Sequence, residues 1–299
     1  MPGRILKLEE LTSPAVAELD RQKTAFFIAV SPLEGHGPHL PLGVDYFDAG
    51  FFAKRLADML LLQRPDFDAV IIPTVPLGAQ VYRQPGSLRT ESRALYRVIA
   101  GLGESLAVWG FRYIFVLSGH GSPKHIVAIE SACVKISRRY KIQMHDLFGV
   151  MAIKFLRGQF VDQISEQLYR PLSPPEKELL KSDIHGGWWE TSMMLLLHPD
   201  LVGEFENLPN LKRGDKGAKR GYFGSPAMAS REFAEASLKV MNEEAANIIE
   251  KILDGRNRRT DTISILYKIP LLRPYAIAKL IFSLMVLIIL ILLAIIIIR

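Results

Sequence analysis

The chain has one cysteine, Cys133, in 299 residues. A single thiol cannot close an internal disulfide, which fits a reducing compartment. Cys133 falls in a predicted helix and reads as a small core residue. Met1 to Asp20 lacks a continuous apolar run, so no secretory leader is expected there. No internal repeat is visible. The body also lacks net charge. Lys and Arg number 37 against 31 Asp and Glu, but residues 255–299 contribute seven of the basic residues and only one acidic residue, Asp261. Residues 1–254 hold 30 of each. The basic balance therefore belongs to the tail, and nucleic acid is not an expected partner.

About 250 residues are ample for one α/β domain. Apolar runs predict strands near 25–30, 68–73, 112–118 and 142–147. Helices are predicted near 45–62, 91–109, 124–140, 188–197 and 229–253. Leu95, Val98, Ile99, Leu102 and Leu106 give the second of these a face at the 3.6-residue period. Residues 203–226, rich in glycine, lysine and proline, read as a long loop.

The densest chemistry follows the first strand, in Glu34-Gly35-His36-Gly37-Pro38-His39-Leu40-Pro41-Leu42-Gly43-Val44-Asp45. Its glycines and prolines fix a loop that presents two carboxylates and an imidazole. Such donors suit a divalent ion of intermediate hardness, namely zinc, manganese or iron. The structural alternative makes Asp45 a helix cap. Two later segments favour the metal: Ser118-Gly119-His120-Gly121-Ser122 ends an apolar strand, and Ser182-Asp183-Ile184-His185-Gly186-Gly187-Trp188-Trp189-Glu190-Thr191-Ser192 leads into an apolar helix. Open α/β sheets gather active sites from separate strand ends in this way.

Over about residues 5–250 these segments resemble the creatininase family of metal-dependent amidohydrolases. The resemblance implies a three-layer α/β/α sandwich with a mostly parallel sheet. It also implies two metal ions, one held by Glu34 and His120, the other by His36 and Glu190, with Asp45 bridging them. His185 matches a position the family uses for proton transfer to the leaving nitrogen, a role suited to a histidine near its ordinary pKa. Its structural alternative is a helix-start residue that orients Glu190. A dinuclear site acidifies a water and polarises a carbonyl, the two requirements of amide hydrolysis at neutral pH. His39 is expected to support Glu34 or a metal-held water. Trp188 and Trp189 are candidate pocket walls, one of them core. His125, His145 and His198 lie in no such context and read as structural. The sequence departs from the family at Ser122, where creatininases proper carry a glutamate; this argues against creatinine as substrate and leaves the five ligands intact. Relatives form hexamers, so a homo-oligomer is expected on resemblance alone.

From Leu280 to Ile298 run nineteen residues with no charge and one serine. With Ala276 to Lys279 the stretch reaches about 23 residues, enough for a hydrocarbon core of roughly 30 Å. No polar stripe marks it as a core helix. The basic residues before it place that flank on the cytoplasmic side. The sequence therefore reads as a metallohydrolase domain over 1–254, a basic linker over 255–275 and a transmembrane anchor over 276–298, with the catalytic domain cytoplasmic. The expected activity is hydrolysis of a C–N bond in a small or cyclic amide. A peptidase trimming a small peptide and a non-catalytic, metal-stabilised membrane scaffold are the alternatives.

Overall fold

The computed structural model describes residues 2–215, 219–275, 281, 284–286 and 288–290. Its centre is the strand β2, Thr24–Ser31, buried along its whole length. A run of apolar residues with no polar alternation belongs to a parallel strand covered on both faces. The neighbours of β2 are β3, Asp68–Pro76, and β4, Tyr113–Leu117, both parallel to it. The outer strands are β1, Ile5–Lys7, beside β3, and β5, Gln143–Asp146, beside β4, giving the order β1-β3-β2-β4-β5.

Two cores follow from strand alternation. On one face Ala25, Phe27, Ala29, Phe115 and Leu117 pack against α2, Val44–Gln63, and α9, Arg231–Leu253. On the other, Phe26, Ile28, Val30, Ile114 and Val116 meet α3, Ser92–Val108, and α4, Pro123–Tyr140. This is the expected three-layer sandwich with a parallel sheet. Leu95, Ile99 and Leu106 form the buried face of α3, whereas Val98 points outward. The short helix α1, Ser13–Glu18, precedes β2. Between β5 and α9 lie α5, Phe148–Leu156; α6, Val161–Gln167; α7, Pro174–Lys181; and α8, Trp188–Leu197. Of these, only α8 is predicted by the sequence pattern.

The chain leaves β2 toward β3 on one side, then crosses back to β4 on the other. That reversal opens a crevice beyond the carboxyl ends of β2 and β4, where ligands bind in open α/β sheets. The loop 203–226 is tied down by short antiparallel bridges, Leu211 with Gly224 and His185 with Phe223.

Residues 255–275 are packed on the body instead of spanning open space. A one-turn helix, α10, Arg259–Thr262, places Thr262 against His145 at 3.0 Å. The backbone N–H of Ser264 donates to Glu130 of α4. Further on, Arg97 of α3 donates to the Tyr275 hydroxyl at 2.6 Å. Among the described residues no helix is long and apolar enough to cross a membrane. Most of the expected span, 276–298, lies outside the described residues. Those described within it are helical and exposed, from 39% at Val286 to 57% at Leu290.

Candidate metal centre and active-site cavity

Four segments deliver the ligand-type side chains. Glu34 and His36 follow β2, Asp45 opens α2, and His120 follows β4. The first turn of α8 adds Glu190. All five side chains are buried or nearly so, Glu190 being the most open at 13% side-chain exposure.

They converge as two sets. Nδ1 of His120 lies 3.0 Å from Glu34 Oε2 and 3.0 Å from Asp45 Oδ2. Nε2 of His36 lies 3.3 Å from Asp45 Oδ1 and 3.6 Å from Glu190 Oε2. Each set brings its donor atoms within 4.8 Å of one another, and Asp45 belongs to both through different oxygens. A third group within the same limit joins Glu34, His36 and His185.

Hydrogen bonds fix which atom of each residue faces the centre. The Nδ1–H of His36 donates to the Glu34 carbonyl at 2.9 Å, which turns Nε2 toward the carboxylates. His120 is set the opposite way. Its Nε2–H faces the Ala79 carbonyl at 3.3 Å and the Ser122 hydroxyl, leaving Nδ1 at the centre. Ser122 donates its own proton to the Gln80 carbonyl at 2.8 Å, so its oxygen is free to accept from His120. Glu34 Oε1 accepts from the backbone N–H of Tyr82. After these bonds, Glu34 Oε2, His36 Nε2 and Asp45 Oδ2 remain buried with no hydrogen-bond partner. Buried orphan atoms of this kind are costly unless a cation joins them.

The electrostatics agree. Burial disfavours the charged forms of His36 and His120, yet the carboxylates around them outweigh it and push both to about 10. Burial also works against the charge of Asp45, but the two histidines hold its carboxyl well below the usual range. Burial, opposed by His36, raises Glu190 to about 7. The centre is built to hold positive charge, and protons and metal ions compete for it.

Asp48 and Asp183, which motif reading passed over, shape the same region. Asp48 follows Asp45 by three residues on the same face of α2, is fully buried, and has neither oxygen hydrogen-bonded. Burial, with Glu190 and Asp45 nearby, holds its carboxyl well above the usual range. Asp183 accepts from Trp188 N at 2.7 Å and Trp189 N at 2.8 Å, and so caps α8 from outside its own chain segment. It thereby aims the turn that carries Glu190. A Cβ on Gly187 would fall 1.8 Å from Asp183 Oδ1, so only glycine fits there. Gly119 is under similar constraint: its Cβ would meet the Asp45 carbonyl at 2.5 Å. The His120 loop can thus pass directly over the start of α2.

His185 is held by its Nε2–H, which donates to the Gly35 carbonyl at 2.8 Å; Nδ1 is its acceptor atom. Its ring lies 4.1 Å from that of His36. Burial and His36 depress its pKa well below 6.5, so the sequence-based expectation of an ordinary pKa does not hold. His39 does not reach Glu34. Its Nε2 pairs with Thr191 Oγ1 at 2.9 Å, bracing the residue after Glu190. Burial and His36 lower it to about 4. The two tryptophans divide. Trp189 lines the cavity beside Phe155, while Trp188 packs on Phe233 in the core. His125 ties Ala79 N to Ser118, at 3.3 and 3.0 Å, and steadies the loop that carries His120.

A cavity of about 470 Å³ opens from this centre. His120, His185 and Glu190 line one end, Phe148, Ala152 and Leu156 of α5 the other. The class this defines is an α/β/α metallohydrolase fold with ligands at the carboxyl edge of a parallel sheet.

A sequence profile described as creatininase, creatinine amidohydrolase, matches residues 9–249. The chain belongs to the creatininase family of hydrolases. It is similar to the mycofactocin precursor peptide peptidase of Mycolicibacterium smegmatis, with 26% identity over 245 residues, 77% of this chain and 86% of that one. It is also similar to the creatinine amidohydrolase of Pseudomonas putida, 25% identical over 182 residues, 58% of this chain and 65% of that one. A crystal structure of creatinine amidohydrolase has the same fold, with a TM-score of 0.63 at 22% identity, covering 83% of this chain and 98% of that one. Other creatininase structures with this fold are described as a manganese form and a Zn-Zn type.

Proposed function

We propose that this chain is a dinuclear metal-dependent amidohydrolase held at a membrane. The observation that carries the reading is the pair of donor sets sharing Asp45, with three buried donor atoms left unpartnered. Glu34, His120 and one oxygen of Asp45 would hold one divalent ion; His36, Glu190 and the other oxygen would hold the second. Zinc leads on the donor set of imidazole and carboxylate, with manganese or iron as alternatives. Three carboxylates against two divalent ions leave net positive charge. When bound, such a pair supplies an acidified water and a Lewis acid for the scissile carbonyl.

The protein's own groups do the rest. Ser122 and the Ala79 carbonyl hold His120 in one tautomer, and the Glu34 carbonyl does the same for His36. Asp183 and His39 fix the turn bearing Glu190. His185, neutral and anchored through Nε2, can take a proton at Nδ1 and deliver it to the leaving nitrogen. A depressed pKa keeps it a base in its resting state and a ready acid once protonated.

The substrate is an amide. Small or cyclic amides fit the polar end, but about 470 Å³ lies within the roughly 300–1,000 Å³ of pockets for drug-sized ligands. Peptide trimming is the second reading, favoured by that volume and by the similarity to the M. smegmatis peptidase. The proton-transfer residue argues against an idle scaffold, which has no need of one. The test is removal of metal by a chelator followed by a panel of amides, lactams and short peptides. Turnover on at least one, abolished by chelation and restored by zinc or manganese, is expected; no turnover with any reloaded metal would overturn the reading.

The anchor rests on composition: nineteen uncharged residues from Leu280 to Ile298 behind a basic flank. The catalytic domain would then face the cytoplasm. Full-length protein should stay with membranes in high salt, because apolar burial is not screened; release by salt alone would remove the anchor. A homo-oligomer, on resemblance a hexamer, is the expected assembly, read by sedimentation of a chain ending at Tyr275. That end point leaves residues 255–275 in place against α4 and the cavity wall.

A further inference from the structure

The apolar end of the cavity follows from the geometry of α5. Phe148, Ala152, Phe155 and Leu156 recur at the spacing of one helical face, and that face contributes to the cavity lining while Phe148 and Ala152 also pack with Ile126 and Phe155 with Trp189. Ile153 lies beside them. Leu266, packed against Phe148 and Ala152, adds to the wall from a 3-10 turn, Ile265–Lys268, that the Ser264–Glu130 bond docks against α4. The polar groups on the lining are unequal in sign. Its two carboxylates are already used, Asp183 in capping α8 and Glu190 in the metal centre. Of its two cations, Lys181 is already paired with Glu178 at 2.6 Å, and the other is the exposed Arg213. The cavity therefore offers metal-type donors, an apolar wall from α5 and Leu266, and the cation Arg213 on its lining.

We infer that the substrate is an N-acyl amino acid: an apolar acyl arm lying along α5 and Leu266, joined by an amide to a head whose carboxylate meets Arg213. The inference rests on the amidohydrolase reading and names its substrate class. In the reaction the oxygen of water bonds to the acyl carbon and the C–N bond breaks. One proton of the water passes through His185 to the leaving nitrogen. The products are a carboxylic acid with the apolar chain and a free amino acid, and no oxidant or further reactant is needed. Burial of each added methylene should tighten binding by about fourfold until the channel is full.

The test uses full-length protein in lipid nanodiscs, loaded with zinc, and N-acylglycines from acetyl to decanoyl. Binding is measured by calorimetry with empty nanodiscs subtracted, and turnover is followed separately by glycine release. Affinity should climb about fourfold per methylene over the first several carbons and then level off. N-octanoylmethylamine, which lacks the carboxylate, should bind at least about tenfold more weakly than N-octanoylglycine. Ala152→Phe should shorten the chain length at which affinity levels off, and Leu266→Ser, at a partly exposed wall, should reduce the gain per methylene without loss of fold. Affinity that does not change with chain length, or equal gains in wild type and both variants, would overturn the inference. Chain-dependent binding without glycine release would overturn N-acyl amino acids as the substrate, and the hydrolase reading falls only if the panel of amides, lactams and short peptides is also left intact.

Discussion

At the polar end of the cavity, five donor side chains come from two short loops and the first turns of α2 and α8, and Glu34, His36, His120 and Glu190 are each fixed by a hydrogen bond to backbone. At the apolar end, the walls are helix faces and one packed turn, with little directional bonding. The difference teaches a division of labour. Chemistry needs atoms placed to within about half an ångström, so it sits on glycine-rich loops with a fixed register. Substrate choice needs only shape and apolar area, which helices supply with ordinary residues.

That division can be broken at either end. The largest effect is expected at His185. His185→Asn should keep its metal and lose about 10²–10⁴ in rate, the usual contribution of acid–base catalysis. Loss of metal together with activity would make it a ligand of the Glu34–His36–His185 group.

Ser122→Ala comes next. It removes the oxygen that accepts from His120 Nε2–H but no ligand atom, so metal affinity should fall by about 10–100-fold while kcat at saturating metal is nearly kept. Competitive titration against a chelator reads this. Unchanged affinity would mean the Ala79 carbonyl alone holds His120.

The smallest effect lies behind the apolar end. Burial pushes Glu130 up to about 7 from 4.5. The folded chain thus binds this proton more tightly than the unfolded chain. The stability it contributes is complete below about 4.5 and is lost as pH rises through about 7. Glu130→Gln keeps an acceptor for Ser264 and should be more stable than wild type at pH 8, by on the order of 2–3 kcal/mol, with little difference at pH 4.5. Parallel melting curves across that range would show that this carboxyl does not titrate on folding.

The polar end was legible in sequence because its residues sit in three motifs with glycines at fixed offsets. Glu34, His36, Asp45, His120 and Glu190, all quoted in those motifs, converge as two sets of donor atoms. Asp48 carried a signal, three residues after Asp45 on a predicted helix, but a buried unpaired carboxyl has no motif. Asp183 was quoted within a motif and missed, since capping a helix from five residues upstream is a tertiary fact. The region 148–181 was not legible for two reasons. α5, Phe-Gly-Val-Met-Ala-Ile-Lys-Phe-Leu, is apolar on nearly every side and shows no period. The second is that α7 carried a usable signal, the Ser173 and Glu176 capping box with prolines at its first turn, which the sequence reading passed over. The docking of 255–275 on the body was not legible because its contacts, Thr262 to His145 and Ser264 to Glu130, join positions more than a hundred residues apart.

Metal content measured across variants tests the central claim most directly. Elemental analysis of purified wild-type protein should find about two divalent ions per chain. Glu190→Gln or His36→Ala should keep about one, because each touches a single donor set. Asp45→Asn should keep almost none, because Asp45 joins both sets through different oxygens. Two equivalents retained in Asp45→Asn would contradict the shared centre and the mechanism built on it.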